Sequence, residues 1–222
     1  MENIISIEKD KAYELVRENI YSCITSPVNL DNFKFIHALP MERTTSAIKN
    51  GLLSHRKLAK LQGRELTQQD YINYAGAGHP NGVSYVSVFT RKVDFSQMYP
   101  GEILFDPFDT IEVEISLSNE LKAYRDAENY YNEFLVPDEI PNKLFTGIDS
   151  KILRIKNYDF HNKEANKPEN RLKKLISHYN FLREIAIALR DANLDIPLRE
   201  ISEEVVTLDK QKVIELPKII VK

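Results

Sequence analysis

The chain has 222 residues, a formal net charge of −3, 42% hydrophobic residues and 28% charged ones, a composition that excludes a disordered chain and any whole-protein attraction for nucleic acid or membrane. No run of 18 or more apolar residues occurs, and the first 25 residues lack a signal-peptide pattern, so neither a membrane span nor a secretory leader is expected. The single cysteine, Cys23, excludes an internal disulfide framework and cysteine-cluster zinc sites and fits a reducing compartment.

Along the chain, Ser6 is placed to cap a first helix in which Ala12, Val16, Ile20 and Ile24 recur every four residues before Pro27 stops it. Residues 32–38 are aromatic and β-branched and predict a strand. A short helix follows, with Pro40 near its start, Ala47 and Ile48 on its apolar side and Gly51 just past its end. Ser54 and Gly63 bracket a basic helix, and Thr67 with Asp70 resembles a capping box opening another that ends at Gly76. Residues 83–90 predict a strand. Ile111, Val113, Ile115 and Leu117 alternate with Glu112, Glu114 and Ser116 as a half-buried antiparallel strand does. Further strands are expected over 132–136 and 151–156. Leu172, Leu175, Ile176, Tyr179, Ala186 and Leu189 mark one face of a long helix over about 169–191. Val205–Leu208 and Val213–Leu216, around Asp209-Lys210-Gln211, predict a hairpin. Strands grouped between helices indicate an α+β fold with a largely antiparallel sheet, in one domain over 1–222.

Charge is uneven. Residues 102–149 hold 12 Asp or Glu against three Lys or Arg, and residues 151–190 hold ten Lys or Arg against four Asp or Glu. Two solvated faces that attract each other account for this more simply than substrate steering. Six of the seven glycines lie between Gly51 and Gly101, and the loop Gly76-Ala77-Gly78-His79-Pro80-Asn81-Gly82 precedes the strand at 83–90, where it would suit a ligand-lining segment. With no Walker A or GxGxxG arrangement, a P-loop or Rossmann crossover has no support.

Two residues stand out beside their ordinary readings. His37, near the end of Phe33-Lys34-Phe35-Ile36-His37-Ala38-Leu39-Pro40, is by itself most simply a satisfied strand residue. Glu133, within Tyr130-Tyr131-Asn132-Glu133-Phe134-Leu135-Val136-Pro137-Asp138-Glu139-Ile140-Pro141, is by itself most simply an exposed carboxylate. Alternation puts Phe134 and Val136 on one face of the strand and Glu133 and Leu135 on the other, so Glu133 faces solvent or a cleft.

The ordered combination changes the weighting. A strand ending in His, a helix running into Gly51-Leu52-Leu53-Ser54, a glycine loop feeding a Ser- and Thr-bearing strand, and then Glu followed by hydrophobics and Pro resembles the ADP-ribosyltransferase superfamily. Within it the pattern is similar to bacterial and phage-type mono-ADP-ribosyltransferases, including the DarT-like group, over about residues 33 to 150. The resemblance implies a split antiparallel β-sheet with flanking helices that holds NAD as co-substrate, with no metal. It implies a catalytic core at about 30–160, with an N-terminal helix and a C-terminal helix plus hairpin added. It implies His37 on the adenosine-side ribose, Ser87, Thr90 and Tyr85 around the nicotinamide, and Glu133 as the catalytic carboxylate. The arginine-modifying pattern has Glu or Gln two residues before the catalytic Glu. Tyr131 stands there instead, which makes it an acceptor-side candidate and disfavours arginine as acceptor. Chain elongation is not expected, because the Tyr motif of the poly-ADP-ribose polymerases is not evident.

Cleaving the nicotinamide–ribose bond builds positive charge on the ribose, which a fixed carboxylate opposes. Ser87 and Thr90, three apart on a strand, face opposite sides, and Ser87 is favoured because it shares a face with Tyr85. The expected activity is therefore a glycosyltransferase reaction by a toxin- or effector-type mono-ADP-ribosyltransferase in the cytoplasm of its own or a target cell. Its partners would be NAD, a macromolecular acceptor with protein ahead of DNA or RNA, an antitoxin or immunity protein, and no membrane. The alternatives are an RNA 2′-phosphotransferase-like enzyme and a binding module that keeps the fold without turnover.

Overall fold

A computed structural model describes residues 3–28, 33–75, 82–92, 110–118, 121–125, 133–151, 168–201 and 205–222. In chain order the elements are β1 (Ile4–Ile7), α1 (Lys9–Ser22), β2 (Ile24–Pro27), β3 (Phe33–Pro40), α2 (Met41–Asn50), β4 (Leu52–Leu53), α3 (His55–Leu61) and α4 (Gln68–Ala75). Then come β5 (Tyr85–Lys92), β6 (Thr110–Ile115), β7 (Tyr124–Arg125), β8 (Glu133–Pro137), β9 (Glu139–Ile140), β10 (Phe145–Lys151), α5 (Pro168–Asp191), β11 (Leu198–Ile201), β12 (Val205–Leu208), α6 (Lys210–Glu215) and β13 (Lys218–Val221).

Nine strands form one sheet in the order β2-β12-β11-β10-β6-β3-β5-β8-β7. Every neighbouring pair is antiparallel except β10–β11, so the protein is a mixed α/β fold on a mostly antiparallel sheet. Two small sheets, parallel β1–β13 and antiparallel β4–β9, lie outside it. One face of the large sheet carries Phe35, Leu39, Val86, Val88, Ile111, Val113, Ile115, Val136 and Ile148. These pack in one apolar cluster with Ala12, Val16 and Ile20 of α1, Ala47 and Ile48 of α2, and Ile176, Tyr179, Leu182 and Leu189 of α5. The periodic stripe on α5 thus buries the sheet's core face.

The helix signals have local causes that the structure makes visible. Ser54 accepts a hydrogen bond from the Lys57 N–H at the start of α3, as an N-cap should. The Thr67 hydroxyl accepts from the Asp70 N–H while the Asp70 carboxylate accepts from the Thr67 N–H, a complete capping box.

Three expectations change. Ser6 lies in β1, not at a cap: the Ile-rich run pairs with β13, and α1 starts after Glu8, whose side chain makes no cap bond. Ile24 belongs to β2, because Cys23 ends α1 with its N–H on the Ile20 carbonyl. The tail is not a hairpin, since Asp209 accepts from the N–H groups of Gln211 and Lys212 and caps α6, which puts Val213 inside a helix and Leu216 at its C-cap. Of the strand expected at 151–156 only Lys151 is described, as part of β10, and residues 152–156 lie outside the described part. The loop 76–81 and Tyr131 also lie outside it.

Candidate functional site: a forked sheet and a buried carboxylate

β3 pairs with β5 only from Phe33–Lys92 to Ile36–Phe89. Beyond that point β3 stays on β6 as far as Pro40–Thr110, while β5 stays on β8 as far as Tyr85–Pro137. The sheet therefore forks after Ile36, and the two arms diverge around Ala38 and Ser87. His37 sits at the branch. Its Nδ1 donates to the Ser87 carbonyl at 2.7 Å, across the gap where ladder bonds have ceased. A carbonyl can only accept, so this contact places the ring proton on Nδ1 and leaves Nε2 as an acceptor. Burial lowers the His37 pKa against the pull of the Ser87 carbonyl, which keeps the ring neutral.

Glu133 opens β8 directly opposite Phe89. Residues directly opposite in an antiparallel ladder share a face, so Glu133 shares its face with Tyr85, Ser87, Phe89 and Leu135. Its register neighbour Phe89 is 37% exposed, and Tyr124, opposite Leu135, is 52% exposed. Glu133 itself is only 6% exposed and, among the described residues, has neither an ion pair nor a side-chain hydrogen bond. Its carboxylate oxygens are not among the side-chain atoms sealed from solvent without a partner, so the group stays accessible on this face, where a ligand could meet it.

The register divides the expected site residues. Glu133, Tyr85 and Ser87 lie together on the face away from the apolar core, as alternation along the strands requires. Thr90, opposite Phe35, lies on the core side. His37 shares that side with Phe35 and Leu39, and it meets the other group only through the backbone of Ser87. Composition and motif order gave no sign of Phe89 or Tyr124, whose relation to Glu133 exists only once β5, β7 and β8 are paired.

The same face holds a buried ionic network. Arg199 on β11 donates from Nε to Asp149 at 2.6 Å and from its terminal nitrogen to Glu114 at 2.7 Å, while Lys34 pairs with Glu114 at 2.7 Å and the Thr146 hydroxyl donates to it at 2.6 Å. β6 was expected to show its glutamates to solvent. Instead Glu112 and Glu114 are both buried, and Arg199 and Lys34 bring cations across to Glu114. Gly147 makes this route: a Cβ there would collide with the Arg199 guanidinium. Among the described residues no group of three or more His, Cys, Asp or Glu is placed to hold a metal ion, and no helix is long and apolar enough to cross a membrane.

The two motifs that carried the family resemblance meet in space. Leu52 and Leu53 pair with Ile140 and Glu139, and the Ser54 N–H donates to the Asp138 carbonyl at 2.7 Å. The Asn142 side chain donates to the Ile48 carbonyl at 2.8 Å. Asp138 takes φ 61°, a left-handed turn that lets the chain leave β8 and enter β9 at once. The joint thus anchors the far end of the strand that Glu133 begins.

No family model matches the chain, and no curated protein matches it. Among solved structures, the chain is similar to Thermosipho africanus DarTG in complex with ADP-ribose, with a TM-score of 0.38 and 12% identity, over 74% of this chain and 49% of that one. It therefore spans about half the length of that structure.

Proposed function

We propose that the chain is a mono-ADP-ribosyltransferase that cleaves NAD and passes ADP-ribose to a macromolecular acceptor, a protein ahead of DNA or RNA. The observation that carries this reading is Glu133: a buried carboxylate with no protein partner among the described residues, on a rigid strand, sharing a face with Tyr85 and Ser87 beside a fork in the sheet. A carboxylate so held needs no reorganisation to oppose positive charge developing on a ribose, and such preorganised groups contribute about 3 kcal/mol each. In this reading Tyr85 and Ser87 line the nicotinamide side. His37 spends its Nδ1 on Ser87, which leaves Nε2 for a ribose hydroxyl of the adenosine half. Thr90, on the core side, contributes to packing.

The acceptor order rests on charge. The basic helix α5 packs on the core face, with His178 bonded to Ser150 and Tyr179 buried, so its cations stand on the opposite side of the sheet from Glu133. By register the Glu133 face carries Glu112, Glu114 and Asp149 against Arg199, Lys34 and Arg91, which leaves no surplus of positive charge among these groups to draw a phosphate backbone. Tyr131 remains the acceptor-side candidate two residues before Glu133.

Labelled NAD with cell lysate, resolved for label on protein and nucleic acid, tests the reading. Glu133→Gln keeps size and removes charge, so label transfer should fall by at least about 100-fold with NAD binding retained. Near-normal transfer by that variant sinks the assignment. Wild-type chain that binds NAD yet neither transfers nor hydrolyses it would instead be a binding module.

A further inference from the structure

Phe89 is the one residue of β5 that belongs to both arms of the forked sheet. β3 holds β5 from Phe33–Lys92 to Ile36–Phe89, and β8 holds it from Tyr85–Pro137 to Phe89–Glu133, so the two sets of pairs overlap at Phe89 alone. Its backbone is thus fixed from both sides at the vertex of the fork. Its side chain lies on the Glu133 face, with Ile36 level on one side and Glu133 level on the other.

Around Glu133 the usual placement of charge and carbon is inverted. The side chains described next to it on its face are Phe89 opposite, Leu135 two residues along the strand, and Ser87 and Tyr124 on the diagonals. Glu133 is drawn in at 6% exposure, whereas Phe89 is 37% and Tyr124 52% exposed. A large apolar side chain left in water contributes no burial to the free chain. Two of them on either side of one accessible carboxylate form a rim that a bound molecule would cover.

We propose that Phe89, with Tyr124 on the diagonal, decides where ADP-ribose goes: the rings stand against the ribose bound at Glu133 and keep water from it, which leaves it for the macromolecular acceptor. That role rests on Glu133 being the catalytic carboxylate. Cleavage breaks the bond between ribose C1′ and the nicotinamide nitrogen, and nicotinamide leaves neutral with the electron pair of that bond. Water that bonds to C1′ gives up a proton to solvent, and free ADP-ribose is the product. A nucleophile of the acceptor reacts at the same carbon, loses its proton likewise and gives the transferred product. Glu133 cannot choose between the two, because its charge assists both. The choice falls to whatever controls which nucleophile stands beside C1′, and a phenyl ring there displaces water while offering it no hydrogen bond. Phe89, fixed by two ladders, holds its place better than Tyr124 on the two-residue strand β7, so the larger share falls to Phe89.

The test is the rate at which the full chain hydrolyses labelled NAD without acceptor, measured beside the rate of label transfer in cell lysate. Phe89→Ala should raise hydrolysis at least about tenfold and lower the share of label transferred, a gain that a damaged fold would not give. Phe89→Leu, which restores apolar bulk without an aromatic face, should bring hydrolysis back to within about threefold of wild type. Tyr124→Ala should raise hydrolysis less than Phe89→Ala does. Tyr13→Ala, which removes an exposed ring from α1 on the core side of the sheet, should change neither rate. The proposal is overturned if Phe89→Ala hydrolyses NAD no faster than wild type while transfer falls, since the ring would then hold the acceptor. It is overturned if hydrolysis and transfer fall together, since the ring would then hold NAD or assist cleavage, and if Phe89→Leu hydrolyses as fast as Phe89→Ala, since apolar cover would then not matter. In each of these cases transfer by the wild-type chain leaves the role of Glu133 standing. If neither wild type nor Phe89→Ala consumes NAD, that role falls and the role of Phe89 with it.

Discussion

The Ser54 N–H donates to the Asp138 carbonyl at 2.7 Å, joining the cap of α3 to the left-handed turn that follows β8. Around that bond the Gly-Leu-Leu-Ser run and the Val-Pro-Asp-Glu-Ile-Pro run form one joint, reinforced by the Lys57–Glu139 ion pair at 2.6 Å. Gly51 is its tightest point. It takes φ 82°, and an added Cβ would come within 2.5 Å of the Ile140 carbonyl oxygen.

Gly51→Ala therefore meets both a disfavoured backbone conformation and a backbone atom that cannot step aside. A loss of about 2 kcal/mol or more is expected. Urea unfolding should report it as a lower midpoint at unchanged slope. Gly63→Ala supplies the contrast: φ is 66° there but no atom lies within 4 Å of the added Cβ, so about 1 kcal/mol is the expected cost.

Gly147→Ala should be more damaging, for a different reason. The added methyl displaces the Arg199 guanidinium, so Asp149 is left buried with its cation withdrawn and Glu114 keeps only Lys34. Breaking one side of such a pair costs about 3–5 kcal/mol. The mechanism predicts strong coupling: in an Arg199→Ala background Gly147→Ala should cost less than about 1 kcal/mol, read from a double-mutant cycle. Equal costs in both backgrounds would refute it.

Buried titratable groups give the fold a pH signature with two opposing parts. Burial pushes Glu200 up to about 7 from 4.5, and its Oε2 has no hydrogen-bond partner. Burial likewise pushes Asp149 up to about 6, against the pull of Arg199. A carboxyl raised in the folded state binds its proton more tightly there than when unfolded, so its stabilisation is complete at acid pH and is lost as pH climbs through the folded value. His178 has the opposite sign: burial lowers it to about 4, and its stabilisation is complete above the unfolded value near 6.5 and is lost as pH falls towards 4. Glu200→Gln should therefore remove part of the loss between pH 4.5 and 7, with a ceiling of about 3 kcal/mol at 1.4 kcal/mol per tenfold. His178→Gln should steepen that loss. Denaturation midpoints across this range decide, and an unchanged profile for Glu200→Gln would show that Glu200 does not titrate as argued.

Legibility followed the range of the cause. Caps, turns and amphipathic stripes act over a few residues, so α2, α3, α4 and α5 could be read in Pro40, Gly51, Ser54, Thr67 and the Leu172–Leu189 periodicity. The tail was misread because Val213 and Leu216 suit a strand as well as one helical turn, and the Asp209 cap that decides between them is a single residue. Glu114 looked solvent-facing because its partners lie on β3, β10 and β11, up to 85 residues away. The fork was beyond local reading altogether: it is a change of strand partner at Ile36 and Phe89, and no residue pattern in either strand encodes where pairing stops. Glu133 was singled out by its neighbours in sequence, but its burial and its separation from Thr90 appear only in the assembled register.

His37 tests the fork directly. Its Nδ1–H is the bond that spans the two arms, and under the proposed function its Nε2 is the acceptor for a ribose hydroxyl. His37→Ala removes both, leaves the Ser87 carbonyl unmet at a cost of about 1–3 kcal/mol, and should weaken NAD binding at least tenfold. His37→Asn separates the two roles, because its side-chain amide can still donate to Ser87 but cannot reach as far as Nε2. Under the ribose-binding role His37→Asn binds NAD as poorly as His37→Ala while regaining the lost thermal stability. If instead His37→Asn restores both affinity and stability, the imidazole is a strut that holds Ser87 in place beside Glu133. If all three proteins bind NAD alike by calorimetry, His37 has no part in the site.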